Sequence, residues 1–155
     1  MVNNLNEIDH NSDMNLEEKV KKKLKEGWIK AWMMIEVLAV TEDAARSSLE
    51  KHVKRMESED GVIIYTKKFH DIKKVENPLP RVSVGFSNVV ELETVVKNFD
   101  KLVYLAMNYA PSSIEILEPG KIEIDAGEAQ GIVNSIADLV HKFAAAGIGG
   151  VVIQS

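Results

Sequence analysis

The chain of 155 residues contains no cysteine, which excludes disulfides, thiolate zinc sites, iron–sulfur clusters and cysteine nucleophiles. No stretch approaches the roughly 18 apolar residues of a membrane span, and no cationic-then-apolar signal segment opens the sequence. A cytoplasmic location with no membrane association is therefore expected. Basic charge is not in excess either: 19 Lys and Arg stand against 24 Asp and Glu, for a net charge of −5, which opposes a general nucleic-acid-binding role. The serines lack a Gly-x-Ser-x-Gly context, and no Asp-x-Asp-x-Asp-Gly loop occurs. Gly147-Ile148-Gly149-Gly150 follows a helical pattern and precedes a strand-like one, the reverse of a dinucleotide-binding context. Nothing announces a cofactor, a nucleophile or a metal motif, so a catalytic role is not indicated.

What remains is an ordinary globular composition, 45% hydrophobic and 28% charged, enough for one core without staples. Charge is uneven along it. Residues 1–75 are balanced, whereas 76–155 carry ten acids against five bases.

Residues 1–14 are rich in Asn and Asp without an apolar period and predict a disordered tail. Asn15 followed by Glu18 resembles a capping box, and Leu16, Val20 and Leu24 form one stripe of a short basic amphipathic helix over 15–26. Lys19, Lys21, Lys22, Lys23 and Lys25 surround the stripe, and Gly27 ends it. From 27 to 155 a single α+β domain is expected.

Trp28–Val40 has the period of a strand. Ile29, Ala31, Met33, Ile35 and Val37 fall on one face; Trp28, Trp32, Met34 and Leu38 fall on the other, interrupted by Lys30 and Glu36. Two largely apolar faces predict a central strand covered on both sides. Thr41 caps a following helix whose stripe is Ala45, Leu49, Val53 and Met56. A second strand is expected over Val62–Lys73, an irregular loop at Glu76–Pro80, and a third strand at Arg81–Ser87. Leu92, Val95, Val96, Phe99, Leu102, Val103 and Ala106 read as one long amphipathic helix, stopped by Pro111. Ile114 and Ile116 mark a fourth strand. This order over residues 27–118 resembles the ferredoxin-like βαββαβ plait, a likeness of architecture that carries no function.

Residues 119–155 predict a β-α-β extension: a short strand at Ile122–Asp125, a helix with Asp125 and Glu128 as a capping box, and a final strand at Gly150–Gln154. The helix, with an apolar face of Ala129, Ile132, Val133, Ile136, Val140 and Phe143, is expected to cover the open sheet face or to pack on a second subunit. Gly127 and Gly131 near its start predict close approach of another backbone, because an interior helical glycine costs about 1 kcal/mol against alanine.

Three candidate sites follow. Trp32, Met34 and Glu36 share one strand face, a candidate ligand or interface surface. A three-residue hairpin after Leu117 would pair Ile116 with Ile124 and set Glu115 opposite Asp125, with Glu123 beside them. Such facing acids repel unless offset, and they form a candidate site for a hard divalent cation. Gly127 and Gly131 are the third, a packing site.

The expected function is a non-enzymatic binding or regulatory module that associates with itself, a protein partner or a small ligand through a sheet face. An RNA-binding plait and a small cation-dependent enzyme using Glu115, Glu123 and Asp125 are the alternatives.

Overall fold

The computed structural model describes the backbone of residues 6–147 and the side chains of residues 15–147. In chain order the elements are α1 (Asn6–Lys25), β1 (Ile29–Ala39), α2 (Glu42–Glu57), β2 (Val62–Phe69), β3 (Lys73–Leu79), β4 (Val82–Val96), α3 (Phe99–Tyr109), β5 (Ser113–Glu118) and α4 (Ala126–Ala145). The five strands form one open antiparallel sheet in the order β2-β4-β1-β5, with β3 also pairing β4. The fold is mixed α+β. β1 and β2 are joined through α2 with β4 lying between them; β4 and β5 are joined through α3 with β1 between them. Among the described residues, no helix is long and apolar enough to cross a membrane.

The alternation expected of β1 places Ile29, Ala31, Met33 and Ile35 in the core. Val90, Leu92 and Val96 of β4 join them, as do Leu49, Val53 and Met56 of α2 and Leu102, Leu105 and Tyr109 of α3. Thr41 starts α2 as anticipated, its hydroxyl accepting from the Ala44 N–H at 3.1 Å and so satisfying one of the orphan donors of the first turn.

Four local expectations are corrected. Helix α1 begins at Asn6, so Asn15 lies inside it and cannot be its cap; residues 1–5 lie outside the described residues. Residues Leu92–Val96 extend β4 instead of opening a helix. The spacing of Leu92 and Val96 satisfies both periods, and strand pairing on both edges of β4 decides it. The helix waits until Asn98, whose Oδ1 accepts from the Lys101 N–H at 2.9 Å. Lys73–Leu79 is strand in spite of Asn77 and Pro78: the ladder to β4 is interrupted between Glu76 and Leu79, so the missing proline N–H breaks no pairing. Finally, residues 121–125 form no strand. β5 pairs with β1, setting Ile116 against Ala31 rather than Ile124. The expected strand at Gly150–Gln154 lies outside the described residues.

The expectation that both faces of β1 are covered is met on one side only. Helices α2 and α3 close the core face. On the other, α1 contacts β2 and β4, where Val95 is fully buried and Val20 nearly so. Farther along β1, Trp32 and Met34 are half-buried, while Glu36 and Leu38 are exposed. α4 covers none of this: it packs beside α3, and Glu128 at its start accepts from the Asp100 N–H at 3.3 Å.

Candidate functional site: the open sheet face

The register of three strands assembles the open face around Trp32. Glu93 of β4 stands on one side of it and Glu115 of β5 on the other. Met34 lies between Glu91 and Ser113, and Glu36 beside Val89. The face therefore carries a tryptophan and a thioether among four carboxylates, because Glu91 and Glu93 alternate with the buried Leu92 and Thr94 along β4, and Glu115 of the exposed edge strand β5 falls opposite Trp32.

Most of these acids have a partner. The Ser87 hydroxyl donates to Glu36 at 2.6 Å, and the Thr66 hydroxyl donates to Glu93 at 3.1 Å. His70 Nε2 lies 2.7 Å from Glu91 and Lys68 Nζ 3.9 Å from the same oxygen. The hydrogen bond from His70, followed by the charges of Lys68 and His70, holds the Glu91 carboxyl below the usual range. At the rim Tyr65 occupies a bulge in β2, with Lys30 5.9 Å from its ring centroid. Burial, and then the charge of Glu93, pushes its phenol up. Among the described residues, the buried Tyr65 hydroxyl has no hydrogen-bond partner.

Trp32, Met34 and Glu36 thus share one accessible surface. Glu115, Glu123 and Asp125 do not come together. Glu115 flanks Trp32, Glu123 pairs with Lys121 at 3.2 Å in solvent, and Asp125 caps α4 by accepting from the Glu128 N–H at 2.8 Å. The missing hairpin strand is the reason. Among the described residues, no group of three or more metal-ligating side chains is close enough to hold an ion. The glycines are corrected as well. Among the described residues, a Cβ at Gly131 would meet nothing within 4 Å, and one at Gly127 only the Asp125 carboxylate at 3.3 Å. Close approach occurs at Gly85 instead, where a Cβ would sit 2.8 Å from Pro78 Cγ and 3.4 Å from the Ala39 carbonyl oxygen.

Sequence reasoning missed one cluster, at Glu59 in the turn after α2. Its carboxylate accepts from Tyr109 at 2.7 Å, from Tyr104 at 3.2 Å and from Lys101 at 3.5 Å, tying that turn to α3. His52 Nε2–H donates to the Tyr109 carbonyl at 2.9 Å, and the two rings meet edge to face. Burial, and then the bond to Glu59, pushes the Tyr109 phenol up to about 12. The Tyr109 bond in turn leads the lowering of Glu59. Only the helix-breaking character of this turn was visible in the sequence, not its tertiary partners.

Fold and site together define a small α+β domain with an open, acidic, tryptophan-bearing sheet face. The chain belongs to the MJ0538 family, whose model matches residues 30–155, from the start of β1 onward and without α1. No curated protein and no solved structure matches the chain.

Proposed function

We propose that this protein is a non-enzymatic binding module whose open sheet face receives a cationic segment of a protein partner, with an arginine or lysine of that segment over Trp32. One observation carries this reading: a half-buried tryptophan sits between Glu93 and Glu115, with Glu91 and Glu36 on the same face. An aromatic face beside carboxylates attracts a cation through both the ring quadrupole and charge. The acidic balance of residues 76–155 favours the same partners. We read the strand order β5-β1-β4-β2, with its two split crossovers, as a ferredoxin-like plait into which β3 is inserted. A cytoplasmic setting accords with the absence of cysteine.

The two alternatives fare less well. Bases of RNA stacked on Trp32 would bring phosphates against four carboxylates. A cation-dependent reaction would need Glu115, Glu123 and Asp125 in one place, and they diverge.

Tryptophan fluorescence of a Trp28→Phe variant, which leaves Trp32 as the sole reporter, tests the proposal. Titration with an arginine-rich peptide is expected to give a saturable change. Glu93→Gln and Glu115→Gln should each weaken it several-fold, as should added salt. A glutamate-rich peptide should give none. No saturable response to the basic peptide, or equal responses to both, overturns the reading.

A further inference from the structure

We infer that the partner docks on the outer edge of β5, adding to the sheet there as an extended strand in which apolar and basic residues alternate. This deepens the reading of the open sheet face and rests on it. β5 ends the sheet: among the described residues it pairs with β1 and with no other strand, and all its residues are exposed. The N–H and C=O groups along its far side are therefore a template for an added strand.

The two edges of the sheet differ. On the opposite one, β2 bulges at Tyr65 and presents the exposed Lys67 and Lys68, and the β3 ladder is interrupted at Asn77-Pro78. Lysine, proline and bulges are devices that keep strands from adding to an edge. β5 has neither lysine nor proline, and its pairing with β1 is regular from Ser113 to Ile116. Register fixes what an added strand meets. Ile114 and Ile116 share the core face of β1 with Met33 and Ala31, yet they are 39% and 40% exposed. Glu115 lies on the open face across from Trp32, and among the described residues it has no ion-pair partner. Residues of the added strand opposite Ile114 and Ile116 cover them, and the residue between meets the Glu115 carboxylate. Apolar, basic, apolar is the pattern that suits all three. An arginine at the middle position stands two strand spacings, about 10 Å, from Trp32, so its side chain extends across Glu115 toward the ring. Charge selects this occupant over two others. Residues 148–155 of the same chain carry no base, and β5 of a second copy would bring only further glutamates.

Hydrogen exchange followed amide by amide, with a peptide alternating valine and arginine as the probe, tests the docking. In the free chain about half of the amides of 113–118 should exchange fast, because alternate residues of a strand point away from its neighbour. The bound peptide should slow these by at least about tenfold. An analogue methylated at every backbone nitrogen keeps the side chains and loses the ladder donors. In the Trp32 fluorescence titration it should bind at least about tenfold more weakly. Equal binding of the methylated analogue, or protection that spares 113–118, overturns the docking mode and leaves the proposed function standing. Loss of every saturable Trp32 response to basic peptides removes both. Slow exchange of all the 113–118 amides in the free chain, the sign of an edge held by residues 148–155 or by a second copy, overturns the inference as well.

Discussion

Replacing Tyr109 by Phe probes the cluster that joins α2 to α3. The ring is 3% exposed and packs edge to face on His52, so Phe keeps the packing and removes one hydroxyl. That hydroxyl donates to Glu59 at 2.7 Å. A hydrogen bond to a charged group contributes about 1.5–3 kcal/mol, and the low end applies because Glu59 keeps Tyr104 and Lys101 and reaches solvent. Tyr109→Phe should therefore cost about 1–1.5 kcal/mol, a fall in Tm of roughly 2–6 °C for a domain of this size. Its pH signature is specific. The phenol titrates at about 12 in the fold against 10.0 ordinarily. Its contribution is thus complete below pH 10 and lost as pH rises through about 12. Thermal melts at neutral pH and from pH 9 to 12 measure both effects. A Tm within about 1 °C of the parent at neutral pH, together with an unchanged alkaline limb in the Phe variant, would refute this account of the cluster.

Three further outcomes are expected. Glu91 titrates below 4.5 in the fold, chiefly through His70, so its contribution is present above pH 4.5 and disappears as pH falls through the lowered value; acid unfolding followed by circular dichroism should show a shallower limb in Glu91→Gln. Gly85→Ala forces a Cβ against Pro78 and the Ala39 carbonyl and should destabilise by about 1–3 kcal/mol in urea unfolding; an unchanged midpoint would mean that Pro78 of β3 is not held against Gly85 of β4. Gly131→Ala should instead stabilise by about 0.5–1 kcal/mol, since open space surrounds the site and alanine is the better helix former; a loss of stability would restore the close-packing expectation.

Much of the secondary structure was legible because single residues carry it. Thr41 as a cap, the Ala45–Leu49–Val53–Met56 stripe and the strict alternation of Ile29–Ile35 each have one physical solution. Residues 88–96 were not legible in this way: Leu92, Val95 and Val96 suit either period, and only the pairing of β4 on two edges chooses the strand. Asn77-Pro78 reads as a loop until the ladder is seen to skip it. Of the candidate sites, Trp32, Met34 and Glu36 could be placed together from the period of two alone. Glu93 and Glu91 join them only through inter-strand register, which a single segment does not encode.

Local sequence thus determined which residues of this protein point the same way along each strand and helix, since φ/ψ preference, caps and apolar spacing act over a few residues. Tertiary structure alone decided which segment β5 would pair with. Ile114 and Ile116 could bury equally against a following hairpin strand or against β1, and the choice of β1 set Glu115 beside Trp32 while leaving Glu123 and Asp125 elsewhere. Likewise α4 lies beside α3, and among the described residues its apolar stripe is exposed. Burial depends on what the rest of the chain has already occupied, and that is a property of the assembled fold.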